Sequence, residues 1–479
     1  MRALSGGRLQ REMSEALAPA MRAIASSLGP EGRHVIFAMG NRVETARTGS
    51  EIARRICTDH YAGRLLKETL VDAERQFGDG TARLAVMAGA ALREGQKAIR
   101  GSWACDLPPA HLARAIEGLR PALDAAFAAE TMPGGAAADL LAASGLPPDL
   151  RHLLAEADAA VGPGGLVSLS EGGETRILPA AGFEFDAGFA GTAPLAAMDG
   201  VYLIVANEII SDFQDLAPVI EAFATGGKAL VIVARGLEGK ALQLIERNRQ
   251  AGVVRMAALI PADAGSRGAE ILADLAAACG ATLICASQGR SLNAFRPGML
   301  GRAGTFSFVR GRVRLGGIVG DPGEISLRVA SAEAAIRQNR YLPFDREHAE
   351  RRRARLLGQW AEVTLARGPD SAVGLENARR AVAMLRASRA GGVIAGGGLG
   401  LERIAARLAS GRDAATEAAV AMARAALCAP GRCLRGNARE DSDLRPGLTD
   451  PAGLSRDLLE AALSFATRLV GIEGAVLRH

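Results

Sequence analysis

Leu9, Met13, Leu17, Met21, Ile24 and Leu28 recur at steps of three and four, which predicts a helix over 8–28 with one buried stripe. Leu28-Gly29-Pro30-Glu31-Gly32-Arg33 stops it, with glycine and proline as breakers. Stretches 34–38 and 41–46 predict two strands turning at Met39-Gly40. Thr48-Gly49-Ser50-Glu51 then opens a helix through Ala53 and Ile56, and further helices run to Gln76, over 82–99 and over 109–129. This first block is helical apart from the hairpin. Met132-Pro133-Gly134-Gly135 and Leu146-Pro147-Pro148 break the pattern. A helix over 149–160 and a strand over 166–170 read as a connecting segment.

From about residue 200 the period changes. Apolar runs at 201–206, 229–234, 253–259 and 282–285 predict strands, and 213–225, 238–250 and 268–279 predict helices between them. Alternation of this length predicts a mostly parallel sheet covered by helices. No Gly-x-Gly-x-x-Gly follows any of these strands, which removes support for a dinucleotide enzyme. A second hairpin is predicted over 305–309 and 312–315, then helix over 324–357 with a break at Leu342-Pro343. Helices return over 374–389, after Val393-Ile394-Ala395-Gly396-Gly397-Gly398, over 413–427 and over 454–472. Two helical blocks therefore enclose an α/β block, which reads as an insertion into the outer domain.

Composition narrows the classes. The 479 residues are 49% hydrophobic, 23% charged and only 4% aromatic, a globular profile long enough for two or three domains. The net charge of +5 is small, and arginines interleave with acids, so no nucleic-acid footprint is expected. No apolar run reaches the ~20 residues of a membrane span, and residues 1–11 lack the apolar core of a signal peptide. Cys57, Cys105, Cys279, Cys285, Cys428 and Cys433 show no zinc spacing, which favours free thiols in a cytoplasmic protein. The histidines form no His-x-x-x-His pair.

The chemistry-bearing stretch is Phe77-Gly78-Asp79-Gly80-Thr81-Ala82-Arg83, between two predicted helices. Two glycines around a carboxylate, followed by a hydroxyl, suit a helix mouth, where backbone N–H groups and the dipole favour phosphate. Asp79 would repel phosphate, so its useful role is to hold a metal that the phosphates share. A tight turn with an N-cap is the other reading of the same residues.

The order and spacing of several motifs resemble the bacterial GroEL-type (group I) chaperonins over nearly the whole chain. The carriers are Leu28-Gly29-Pro30-Glu31-Gly32-Arg33, Gly78-Asp79-Gly80-Thr81, Gly182-Phe183-Glu184-Phe185-Asp186, Asp345-Arg346-Glu347, Val393-Ile394-Ala395-Gly396-Gly397-Gly398, Asn437-Ala438 and Asp450-Pro451. The resemblance implies an α+β multidomain fold. It has a helical equatorial domain (1–129 and 392–479), a small intermediate hinge domain (130–181 and 360–391) and an inserted α/β apical domain (182–359). It also implies ATP with Mg²⁺. Ser27, Leu28, Gly29, Pro30, Arg47, Gly80 and Thr81 would meet the phosphates, and Asp79 the metal. Gly397, Asn437, Ala438 and Asp450 would border adenine and ribose.

The departures from that family gather on the same pocket. Ala82 and Arg83 replace two threonines, Thr48 and Arg380 replace two catalytic-type aspartates, and Arg439 replaces an alanine. A hydroxyl does little as a general base and a guanidinium nothing. The expectation is a divergent paralogue, a pseudo-ATPase that binds ATP but has impaired or lost hydrolysis. In the alternative, Arg83 and Arg380 face solvent, Glu376 substitutes, and the chain is a working ATP-dependent foldase; a third reading is a scaffold that binds no nucleotide.

The resemblance places client binding on 213–225 and 238–250. Phe213, Leu216, Ile220, Phe223, Leu242 and Ile245 stay apolar there, with Phe189 matching a family aromatic. Glu246, Arg247 and Ala193-Pro194 depart from the pattern. Apolar residues at helical spacing also fit a core. A narrower client range, an unfolded or dedicated protein, is the expectation, with a cochaperonin or a full-length chaperonin as further partners. The family's paired N- and C-terminal strands are expected to be missing, which leaves a homo-oligomeric ring open.

Overall fold

The computed structural model describes residues 2–29, 32–39, 42–100, 107–134, 137–142, 144–162, 165–180, 182–191, 197–212, 214, 216–292, 296–309, 311–339, 342–368, 371–438, 447–472 and 474–477. Pro30, Ala193-Pro194, Phe213 and Arg439 lie outside them.

The chain opens with β1 (Arg2–Ser5), α1 (Gly6–Ala25), the hairpin β2 (Val35–Met39) and β3 (Arg42–Ala46), and α2 (Gly49–Arg55). It continues through α3 (Tyr61–Phe77), α4 (Thr81–Arg100), α5 (Pro109–Glu130), α6 (Ala137–Ala142) and α7 (Pro148–Val161). Next come β4 (Leu166–Gly172), β5 (Arg176–Ala180), β6 (Phe183–Phe189), β7 (Ala197–Ile210), α8 (Ala217–Gly226), β8 (Ala229–Leu237), α9 (Gly239–Gln250), β9 (Met256–Pro261) and α10 (Gly265–Cys279). They lead to β10 (Gly301–Val309), β11 (Arg312–Gly316), α11 (Pro322–Gln338), α12 (Pro343–Leu357) and β12 (Trp360–Ala366). The chain ends with α13 (Ser371–Gly391), β13 (Val393–Ala395), α14 (Leu399–Arg407), α15 (Ala414–Asn437), β14 (Thr449–Pro451), α16 (Ala452–Val470) and β15 (Gly474–Leu477).

Two compact units result. The first joins Met1–Glu156, Glu171–Thr175 and Leu365–His479; the second holds Ala157–Ser170 and Arg176–Thr364. The second thus lies within the first along the sequence.

In the first unit α4 is the central helix. Leu84, Ala85, Met87, Ala88, Ala91 and Leu92 are all buried, facing a cluster that includes Ala419, Ala423 and Ala426 of α15 and Ala462 and Ala466 of α16. Small side chains let these helix axes approach closely, and at Gly95 a Cβ would sit 3.0 Å from Val470 and 3.1 Å from Met422. The terminal strands expected to be missing are present. β1 and β15 pair antiparallel, Arg2 opposite Leu477 through Ser5 opposite Gly474. Each has four residues, too few to show an alternation in the sequence.

In the second unit the expected mostly parallel sheet is corrected to a closed six-stranded barrel, ordered β10-β11-β6-β9-β8-β7. Only β7–β8 and β8–β9 pair parallel; the other four pairings of the barrel are antiparallel. Residues 282–285 form isolated bridges, Ile284 with Ala206 and Cys285 with Arg290, rather than a ladder strand. Alternate residues of β8 enter two cores: Val231 and Val233 in one, Leu230, Ile232 and Ala234 in the other. Burial on both faces makes such a strand read as an unbroken apolar run. β4, β12 and β5 form a separate three-stranded sheet.

Of the two readings of the apolar residues on 213–225 and 238–250, the packing of the described ones is that of a core. Leu216, Ile220 and Phe223, with Ile245 of α9, are buried in the second of those cores. Leu242 packs against the same core, and Phe189 against the other, its ring tilted 44° to that of Phe308 with centroids 4.0 Å apart. Burial of a Leu, Ile or Phe side chain stabilises by roughly 1.5–3 kcal/mol, and here the helices spend that on the barrel rather than on an open groove.

Candidate functional site

A cleft of ≈ 530 Å³ opens in the first unit where three turns meet: the end of α1, the link from α3 to α4, and the link from β13 to α14. The α3–α4 link is held by two glycines in left-handed conformation. Gly78 (φ 73) ends α3, its N–H bonding Glu74 O, and Gly80 (φ 91) leads into α4. A side chain at Gly80 would strike Leu458, with Cβ 2.5 Å from its Cδ1. The tight-turn reading and the helix-mouth reading are therefore one arrangement, which sets Asp79, Gly80 and Thr81 on the cleft wall. The β13–α14 link is equally constrained: at Gly398 (φ 85) a Cβ would lie 2.4 Å from Gly431 Cα of α15.

Ser27, Leu28 and Gly29 line the cleft, as do Arg47, Thr48, Ala82, Arg83, Arg380, Gly397 and Asp450. Asn437 and Ala438 do not. The Asn437 side-chain amide donates to Ala25 O (2.9 Å) and Leu28 O (3.0 Å), tying the last turn of α15 to the end of α1. In this arrangement its side chain supports the loop that lines the cleft. Ser50, Glu74, Asn377 and Thr449 also line the cleft and were missed by the sequence reading. Asn377 was findable, because it lies one helical turn before Arg380 on the same face.

Three carboxylates reach the lining, and two are already engaged. Glu74 takes a two-bond contact from Arg54, at 2.5 and 3.2 Å. Asp450 Oδ1 accepts from Arg83 Nη2 at 3.0 Å, while Arg83 Nη1 donates to Ser455 Oγ at 3.0 Å. Arg83 thus faces inward with a side chain 13% exposed. Glu376 pairs with Arg379 at 3.8 Å and is outside the lining. Asp79 is the remaining carboxylate.

At the two positions where the resemblance put aspartates, the polar groups do other things. Thr48 caps α2, accepting from Glu51 N–H at 3.3 Å, with Ser50 Oγ 3.2 Å away. Arg380 presents a buried Nε with no hydrogen-bond partner among the described residues. Neither can take a proton from water at neutral pH.

Among the described residues no group of three or more His, Cys, Asp or Glu side chains could cage a metal. One carboxylate beside a helix N-terminus does fit Mg²⁺, which keeps several waters and is held largely by phosphate oxygens. The orphaned guanidinium of Arg380 and the first N–H groups of α4, which lack helical partners, fit the phosphates.

Residues 21–129 match the TCP-1/cpn60 chaperonin family, a segment that carries both the α1 end and the α3–α4 turn of the cleft. Over its full length the chain is similar in fold to the chaperonin gp146 from the bacteriophage EL 2 (Pseudomonas aeruginosa), solved in presence of ATP-BeFx. One crystal form gives a TM-score of 0.69 at 16% identity, covering 100% of this chain and 99% of that one. A second gives 0.59 at 16% identity, covering 100% of both. Residues 21–129 thus resemble the TCP-1/cpn60 chaperonin family, and the full-length fold is chaperonin-like.

Proposed function

We propose that the protein is a GroEL-type chaperonin paralogue that assists folding or assembly of polypeptide clients and binds ATP with Mg²⁺ in this cleft, with hydrolysis impaired. In this reading 1–129 and 392–479 are the nucleotide-binding equatorial part, 130–181 and 360–391 the hinges, and 182–359 the client-facing insert. The observation that carries it is the engagement of the cleft's acids. Glu74 and Asp450 are held by guanidinium groups, and Thr48 and Arg380, which line the cleft, are the positions where the resemblance implies carboxylates. Asp79 would hold the metal. Mg²⁺, when bound, would supply charge neutralisation for the phosphates; with Asp79 on the metal and Glu74 and Asp450 paired to arginines, the described lining offers no second free carboxylate to act on an attacking water.

Loss of a catalytic acid–base group lowers rates by about 10²–10⁴-fold. Phosphate release by the pure full chain is expected to fall that far below a chaperonin with both aspartates. Turnover at the full level would overturn the impaired-hydrolysis reading. ATP is expected to raise the melting temperature through binding linkage, and no shift would overturn nucleotide binding. With the α8 and α9 apolar residues taken up by the core, a dedicated client fits better than general capture of unfolded chains. A client-capture assay with generic unfolded proteins checks this, and broad capture would overturn it.

A further inference from the structure

The chain passes between the three-stranded sheet and the barrel segment twice. One crossing is 181–182, between β5 and β6; the other is Gly358-Gln359, between α12 and β12. The two lie side by side, because β5 and β12 pair antiparallel with Ala180 opposite Trp360. Two adjacent crossings make a neck, and changes in a few backbone angles at such a place swing whatever lies beyond it. Gly358 has room for such changes. It is left-handed (φ 63), and no atom lies within 4 Å of where a Cβ would stand.

A charge cluster spans this neck. On the barrel, Arg312 stands opposite Asp186 and Arg314 opposite Glu184 in the β11–β6 ladder, and residues two apart on a strand share a face. Arg312 Nε meets Glu184 at 3.1 Å and Asp186 at 3.2 Å, and Arg314 Nε donates to Glu184 at 2.9 Å. Two guanidinium groups and two carboxylates thus balance within the barrel. Glu362 is a third acid, and it comes from β12 in the sheet. Its Oε1 accepts from Arg312 at 3.2 Å and its Oε2 accepts from Arg314. Its side chain is 7% exposed, so salt screens these pairs little. Trp360, two residues earlier on β12, lies 5.8 Å from the Arg314 guanidinium and donates its indole N–H to Gly182 O at 3.4 Å, in the other crossing.

The balance of charge makes this clasp reversible. Separating a buried ion pair normally leaves one charge stranded. Here withdrawal of Glu362 leaves Glu184 and Asp186 on the two arginines and returns Glu362 to water. It also relieves the crowding of Glu184 and Glu362, two like charges that share Arg314.

We propose that Glu362 is a releasable latch: by clasping Arg312 and Arg314 it holds the barrel in one orientation on the three-stranded sheet, and its release lets the barrel swing about 181–182 and 358–359. The latch goes beyond the nucleotide reading above, and its test contains no nucleotide.

The experiment is single-molecule energy transfer on the full chain, with dyes carried by genetically encoded azido residues in place of Arg176 of β5 and Lys240 of α9, both exposed. The wild type is expected to show a single distance. Glu362→Gln is expected to add a second one, the ratio of swung to latched molecules rising at least roughly tenfold, the value of one hydrogen bond to a charged group. Asp186→Asn takes a carboxylate from Arg312 on the barrel's own side of the neck and should leave the single distance unmoved. Arg314→Gln serves as the second variant where the Glu362 form fails to fold, and it should add the same second distance. A folded Glu362 or Arg314 variant with the wild-type distribution overturns the latch. So does a wild type that already populates both distances equally, or an Asp186→Asn form that shifts as far as Glu362→Gln.

Discussion

Thr48 illustrates how a single hydroxyl becomes unavailable for chemistry. Its Oγ1 accepts the Glu51 N–H and caps α2, while the Glu51 carboxylate accepts the Arg47 N–H at 2.8 Å. Aspartate caps helices at least as well as threonine, so Thr48→Asp keeps the cap and adds a carboxylate to the wall that carries Asp79. Arg380→Asp removes a buried guanidinium nitrogen that has no acceptor. The double variant is therefore expected to fold and to release phosphate at least about tenfold faster than wild type, a fraction of the 10²–10⁴ such groups supply. A phosphate-release time course measures it. A folded double variant with no gain would mean that the two positions do not limit turnover. The Arg83–Asp450 contact is the residue-scale feature the sequence hid most completely, since its partners are 367 positions apart. The glycine turns were legible, because Gly78 and Gly80 adopt backbone angles other residues resist.

At the scale of elements, the helices were legible where one stripe is buried. α1 buries Leu9, Met13, Leu17 and Ile24, the positions that define its period. The barrel was not, because its closure depends on antiparallel partners far apart in sequence, such as Phe183 opposite Leu315. Nor could α8 be sorted into core or surface, since apolar spacing is the same for both. α15 links element to site: it packs Gly431 under the α14 turn and sends Asn437 to the α1 end. Its start is fixed by a capping box between Asp413 and Thr416. The side-chain and backbone bonds from Thr416 hold the Asp413 carboxyl below its ordinary value. A depressed acid contributes stability above its unfolded pKa and loses it as pH falls through the folded one. Asp413→Ala is thus expected to lower the urea midpoint above about pH 4, the ordinary aspartate range, and the gap to wild type should close in more acidic solution. A gap that widens on acidification would assign the stabilisation to some other group.

At the scale of the whole molecule, the two units differ in how their chain is gathered. The second is nearly continuous: its barrel strands and both of its cores fall within Arg176–Thr364. The first is built from the two ends of the chain. α4 needs α15 and α16 to bury Leu84, Met87 and Leu92, and β1 needs β15. Gln10 of α1 adds a buried tie across the same distance, its Nε2 reaching Leu469 O at 3.1 Å and Ile472 O at 3.0 Å. Contacts that span most of the chain require the intervening loop to be closed first, an entropic cost that local contacts avoid. Removing the C-terminal helices would also expose the apolar faces of α1 and α4, at about 25 cal/mol per Å². Residues 176–364 expressed alone are therefore expected to unfold cooperatively in urea from a state with a mixed helix and strand circular-dichroism spectrum. Residues 1–156 alone should show no cooperative transition, and co-expression with residues 365–479 should restore it. A cooperative transition in the isolated 1–156 fragment would show that its own helices bury enough surface to fold, contrary to the packing of α4.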